Sequence, residues 1–281
     1  MHIEAKDILT YPKYVFRTIW QFVSNPRAWR NVKVIIWSLL RTIIVGRRLV
    51  GVIVSHTAFL SRKGTVTIPW TRKTLSRYNW RVAHKFWAPQ ILSYAKISFR
   101  VSGYDEIDWK KTYVLASNHQ STIDILILVK LIESGVVVVK EGALWLPYIG
   151  KISKYTQIVV DRKNKKQAVR AVKWGVRQYP KQNFVFFPEG TRSKTGNIGA
   201  FKKGAAATAI STGLPLIPIA IVGTHNALPT GSLLQLKLKP PPIKVFFRKP
   251  ISTNGLNEKD VDMLNNLLFE TVKKTLEENS D

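Results

Sequence analysis

Two short polar segments, each placed directly after an apolar run, hold the residue types needed for proton transfer and anion binding. The first is Asn118-His119-Gln120-Ser121-Thr122-Ile123-Asp124, and the second is Phe187-Pro188-Glu189-Gly190-Thr191-Arg192-Ser193. A histidine and a carboxylate at this spacing can meet across one turn of chain. The carboxylate then accepts a hydrogen bond from one imidazole nitrogen and fixes the tautomer, leaving the other nitrogen free to take a proton from a bound hydroxyl. The second segment offers Arg192, whose planar fork suits phosphate, on a loop that Gly190 allows to turn tightly. Glu189 can orient a substrate hydroxyl or hold the loop by pairing with backbone amides. Either spacing alone is weak, and the joint occurrence carries the weight.

These residues need a scaffold, and the chain from Ile97 onward supplies one. Apolar runs of strand length recur at Ile97–Val101, Tyr113–Ala116, Val136–Val139, Ile158–Val160, Phe184–Phe187, Leu216–Val222 and Ile243–Phe247. Helical segments near Ser121–Glu133, Lys165–Tyr179, Lys202–Thr212 and Leu256–Glu278 are interleaved between most of them. The alternation predicts an α/β fold. Near-continuous Val, Ile and Phe runs suit strands buried on both faces, so a mostly parallel central sheet flanked by helices is expected. In such sheets sites gather beyond the carboxyl ends of the strands, where both segments fall, as does Lys140 after Val136–Val139. Ser121 can cap the helix that follows the first segment. Phe201-Lys202-Lys203-Gly204 opens another helix, where cations and free amides can assist an anion. The segment from Gly255 onward, with seven acids against Lys259, Lys273 and Lys274, reads as a solvated terminal helix.

The N-terminal third has a different character. Lys and Arg number 44 against 17 acids, a formal net charge of +27, which calls for a polyanionic partner or surface. Residues 1–90 hold sixteen of those cations and only Glu4 and Asp7, together with six of the nine Trp. Tryptophan with Lys and Arg is the pairing of a membrane interface. Single-stranded nucleic acid uses it too, but no nucleic-acid motif accompanies it here. The stretch Val32 to Leu60 is interrupted by Lys33, Arg41, Arg47 and Arg48, so no charge-free run reaches the roughly eighteen residues of a span. On a helix these cations gather on one side, with Ile35, Ile36, Leu39, Leu40 and Ile43 largely opposite, a basic amphipathic pattern suited to a headgroup layer. A basic loop is expected over residues 61–76 and a further amphipathic stretch over Asn79 to Tyr94. Met1 to Thr10 lacks the apolar core of a cleaved signal. The expected organisation is a membrane-associating helical region over 1–95 and an α/β domain over 96–281.

Cysteine is absent, which excludes disulfides, thiolate metal sites and a Cys nucleophile. His2, His56, His84 and His225 show no ligand spacing with one another, and Asp124 is better used on His119 than on a metal, so neither metal nor cofactor is expected.

Over roughly residues 96–250 the chain resembles the glycerolipid acyltransferases, most closely those acting on lysophosphatidate. The resemblance rests on Asn118-His119-Gln120-Ser121 with Asp124, on Lys140-Glu141 with Pro147, Gly150 and Val159-Val160-Asp161-Arg162, on Phe187 to Ser193 running on to Gly196 and Phe201-Lys202-Lys203-Gly204, and on Ile217-Pro218-Ile219-Ala220. It implies direct acyl transfer from acyl-CoA or acyl carrier protein to the free hydroxyl of a lysophospholipid, with His119 as base and Asp124 orienting it. Arg192, helped by Lys140, would grip the acceptor phosphate. Glu189 and Gly190 would shape the acceptor site, with Asn118 and Thr191 beside them. It also implies an anionic membrane as partner, a membrane location with the site on the cytoplasmic face, where acyl thioesters are made, and no part for nucleic acid. Two competing expectations stay open: another lyso-lipid acceptor, or a non-catalytic membrane-remodelling protein that keeps the fold.

Overall fold

The computed structural model describes residues 76–77, 80–140, 158–160, 165–179, 181–228 and 242–279. The amphipathic stretch expected at Val32–Leu60, nearly all of the basic loop at 61–76, and residues 141–157 lie outside the described residues.

Among the described residues, seven strands form one sheet. They are β1 (Phe99–Ser102), β2 (Val114–Ser117), β3 (Gly135–Lys140), β4 (Ile158–Val160), β5 (Asn183–Phe186), β6 (Leu216–Val222) and β7 (Ile243–Phe247), in the order β1-β7-β6-β2-β5-β3-β4. Strands β4, β3, β5, β2 and β6 run parallel. Strand β7 is antiparallel to β6, and β1 pairs parallel to β7. The mostly parallel sheet expected from sequence is present, with a reversed edge that alternation could not reveal. A four-residue helix, α5 (Thr224–Ala227), follows β6.

The other helices are α1 (Ala88–Tyr94, entered through a π-turn at Ala83–Trp87), α2 (Thr122–Leu131), α3 (Lys165–Gln178), α4 (Gly204–Thr212) and α6 (Val261–Glu277). They cover both faces of the sheet. On one face Ile123, Ile127 and Leu128 of α2 and Ala88 and Leu92 of α1 pack with Leu115, Val185, Ile217 and Ile219. On the other, Ala205, Ala206 and Ala209 of α4 and Leu264, Leu268, Val272 and Leu276 of α6 pack with Val114, Ala116, Phe184 and Leu216. Successive residues of β2 and β5 point to opposite cores, which is why both strands are buried throughout and apolar except at Ser117 and Asn183.

Two expectations change here. Helix α6 is not a solvated terminal helix. Its Leu264, Leu268 and Val272 are fully buried, and burying a leucine or valine stabilises by about 1.5–3 kcal/mol each. Of the acids that suggested exposure, Asp262, Glu270, Glu277 and Glu278 lie on the exposed side, where Asp262 pairs with Lys203 of the α4 N-cap.

The second change concerns the end of the 1–95 segment, where residues 80–95 pack as part of the sheet domain. The Trp80 indole N–H donates to the Ile132 carbonyl at 2.7 Å and His84 Nδ1 lies 3.0 Å from the Val129 carbonyl. Both bonds satisfy carbonyls that the end of α2 would otherwise leave unpaired. Gly135 makes room for this packing, because a Cβ there would come within 2.7 Å of the Trp80 ring.

Candidate active site

Strands β2 and β5 are neighbours, so the loops leaving their carboxyl ends emerge side by side. Asn118, the first residue beyond β2, is fully buried. Its Nδ2 donates to the Ile221 carbonyl at 2.9 Å and its Oδ1 accepts the Ile221 N–H at 2.8 Å. The side chain thus imitates one rung of a ladder with β6 and fixes where the chain turns away from the sheet. Expected beside the acceptor, Asn118 has its amide committed to the main chain.

Ser121 and Asp124 form a capping box at the start of α2. Asp124 Oδ2 accepts from the N–H groups of Gln120 (2.7 Å) and Ser121 (2.8 Å) and faces His119 Nδ1 at 2.8 Å. A carboxylate that already accepts two backbone donors must accept again from the imidazole, so Nδ1 carries the proton and Nε2 presents its lone pair. Asp124 is fully buried, whereas the His119 side chain keeps 12% exposure. The ring stacks on Phe187, with centroids 4.0 Å apart and planes at 25°. The imidazole is thereby held at its edge by a charge and on its face by an aromatic ring.

The second loop is tied to the first. Gly190, with φ of +79°, closes the turn that begins at Phe187, its N–H donating to the Phe187 carbonyl at 2.9 Å. A side chain in that conformation costs about 1–2 kcal/mol. Glu189 Oε1 accepts the His119 N–H at 2.7 Å and Oε2 the Gly199 N–H at 2.9 Å. The Ser193 N–H donates to the His119 carbonyl at 2.8 Å, so both main-chain polar groups of His119 are held by the neighbouring loop. Of the two roles open to Glu189, the geometry gives it the backbone-holding one. Burial pushes its carboxyl above the usual range, although the two amide donors and His119 pull the other way. The folded chain therefore holds the Glu189 proton more tightly than the unfolded chain, and ionising it costs stability as pH rises through the raised value. Glu189→Gln has a single acceptor oxygen, so one of the two amides would meet an NH2 group. Its thermal midpoint should fall by roughly 2–8 °C, from a loss of about 1–2 kcal/mol. An unchanged melting curve would show that the loop does not depend on both bonds.

Arg192 reaches across to α2, where its Nη1 donates to Thr122 Oγ1 at 2.7 Å. Thr191 is exposed on the same loop. Lys140 is the last residue of β3, at the carboxyl end of the sheet as expected, and its side chain lies outside the described residues. Lys202 spends its N–H on the Pro188 carbonyl, and α4 begins two residues later than the sequence pattern placed it. The sequence reading gave no separate role to Gln120, which bridges the two loops: its Nε2 donates to the Gly196 carbonyl at 2.7 Å and its Oε1 accepts from Thr224 at 3.3 Å. The only sequence signal for it was its place beside His119. Among the described residues no group of acidic, histidine or cysteine side chains is arranged to hold a metal.

Residues 98–222 match the family model described as Acyltransferase. The chain is 36% identical over 149 residues to a 1-acyl-sn-glycerol-3-phosphate acyltransferase of Cocos nucifera, covering 52% of this chain and 47% of that protein. It is also 36% identical over 181 residues to the chloroplastic enzyme of that name, BAT2, of Brassica napus, covering 62% of this chain and 52% of that one. It spans about half the length of these curated relatives. The crystal structure of the 1-acyl-sn-glycerophosphate acyltransferase PlsC from Thermotoga maritima shares the fold, with a TM-score of 0.70 at 24% identity over 86% of this chain and 96% of that one. Both loops of the site lie inside residues 98–222, the stretch that the Acyltransferase family model matches.

Proposed function

We propose that this protein transfers a fatty acyl group from acyl-CoA or acyl carrier protein to the sn-2 hydroxyl of 1-acyl-sn-glycerol-3-phosphate, giving phosphatidic acid. The observation that carries the proposal is the oriented His119–Asp124 pair, 2.8 Å apart, at the same helix end that holds Arg192. The names of the relatives support the choice of reaction. His119 Nε2 takes the proton of the acceptor hydroxyl as its oxygen attacks the thioester carbonyl. Asp124 stabilises the imidazolium that forms. Collapse of the tetrahedral intermediate breaks the carbon–sulfur bond, and the departing thiolate takes the proton back from His119. No acyl-enzyme is needed, in keeping with a chain that has no cysteine. Arg192 binds the acceptor phosphate, with Lys140 as a second cation. The basic, Trp-rich residues before Trp80 draw the enzyme to an anionic membrane on its cytoplasmic face, where donor and acceptor meet. Among the described residues no helix is long and apolar enough to cross a membrane.

The test is acyl transfer from labelled acyl-CoA, and separately from acyl carrier protein, to lysophosphatidate in mixed micelles. Arg192→Ala should raise the acceptor KM by about ten- to a hundredfold, as expected on losing charge-assisted bonds to phosphate, with the donor KM unchanged. Wild-type enzyme that ignores lysophosphatidate but acylates another lyso-lipid would move the assignment to that acceptor. Failure across a panel of acceptors would favour a membrane-remodelling role.

A further inference from the structure

We infer that Thr122 is a positioning residue for the acceptor phosphate, acting through Arg192; the inference rests on the function proposed above. Thr122 is the first residue of α2 and is exposed, so its hydroxyl is not needed to satisfy a buried group. The helix is already capped by Ser121 and Asp124. The described partner of the hydroxyl is Arg192, which donates to it from Nη1 at 2.7 Å. This is an unusual place to hold a cation. The amino end of a helix carries partial positive charge and repels a guanidinium, while both favour an anion placed between or beside them.

The bond has two consequences for binding. A free arginine side chain carries about 2 kcal/mol of rotamer entropy, and anchoring one corner of the fork removes part of that loss from the binding step. Arginine has five N–H donors, so a single bond to Thr122 leaves a full edge of the guanidinium for two parallel bonds to phosphate oxygens. Thr122 also stands two residues before Asp124, which orients His119. One rigid helical turn therefore sets both the base and the phosphate clamp. The separation between the phosphate and the hydroxyl to be acylated becomes a property of that turn rather than of a mobile side chain.

The experiment compares wild type, Thr122→Val, Thr122→Ser and Thr122→Val/Arg192→Ala on lysophosphatidate, with donor and acceptor varied separately. Valine keeps the branched shape and removes the hydroxyl, while serine restores it. Thr122→Val should raise the acceptor KM about three- to tenfold, the scale of one hydrogen bond, with kcat and donor KM within twofold. Thr122→Ser should return to wild type. In the Arg192→Ala background the valine substitution should add nothing, because the two side chains act as one unit. An unmoved acceptor KM in Thr122→Val, a loss confined to kcat, or additive effects in the double variant would overturn the inference while leaving the reaction assignment intact. Wild type with no transfer to lysophosphatidate would instead remove that assignment and the inference with it.

Discussion

His119→Ala should lose turnover by about 10²–10⁴-fold, the usual contribution of a positioned general base, while the protein folds as before. The ring is held by Asp124 and stacked on Phe187, yet little of the surrounding structure depends on it. Asp124 keeps its two backbone donors from Gln120 and Ser121. The loop keeps its bonds to the His119 main chain from Glu189 and Ser193. What is removed is a partly exposed aromatic contact, worth about 1 kcal/mol. Steady-state assays beside circular dichroism and thermal melting separate the two roles. A low kcat with an unaltered acceptor KM and a midpoint within a few degrees of wild type supports the base. A kcat within tenfold of wild type would remove His119 from the chemistry, and a collapse of the melting transition would make its role structural.

Asp124→Asn should be nearly as damaging to turnover, about 10²–10³-fold, and should cost stability as well. The amide keeps one oxygen to accept from Gln120 and Ser121. That oxygen also still accepts from His119 Nδ1, so the tautomer is kept, while the NH2 group takes the place of Oδ1, which has no hydrogen-bond partner. What is lost is the charge that stabilises an imidazolium. Neutralising a buried oxygen on which three donors converge, at the positive end of a helix, costs about 1–2 kcal/mol. The melting midpoint should fall by roughly 2–8 °C. Turnover of Asp124→Asn equal to wild type would show that the carboxylate caps α2 and does no more.

The parts of this protein that the sequence disclosed are those governed by local rules. Ile158–Val160, Leu216–Val222 and Ile243–Phe247 are strands with the expected bounds, because short apolar runs with punctuation at their ends, whether buried on both faces like Leu216–Val222 or on alternate residues like Ile243–Phe247, are set by local pattern. The meeting of His119 and Asp124 was equally legible, since a capping box of Ser121 and Asp124 turns the carboxylate back toward the residues just before the helix, where His119 stands. What stayed hidden depends on contacts far apart in the chain. Asn118 reads as a ligand contact until Ile221, on β6, is seen to occupy both of its amide atoms. Glu189 had two open roles until Gly199 and the His119 N–H claimed its oxygens. Strand direction is similarly silent: nothing in the run Ile243–Phe247 says that it lies antiparallel to β6. In α6 the charge count hid a stripe of Leu264, Leu268, Val272 and Leu276 repeating every four residues, which periodicity alone could have found.

The backbone bonds between the two loops also limit how this site can be redesigned. His119 has its N–H held by Glu189 and its carbonyl by Ser193, and Gln120 reaches the Gly196 carbonyl. A graft that imports one loop from a relative with a different acceptor would therefore arrive without the partners that shape it. The unit of exchange is a two-piece cassette, Asn118–Asp124 with Phe187–Gly199, carried on an adjacent pair of strands.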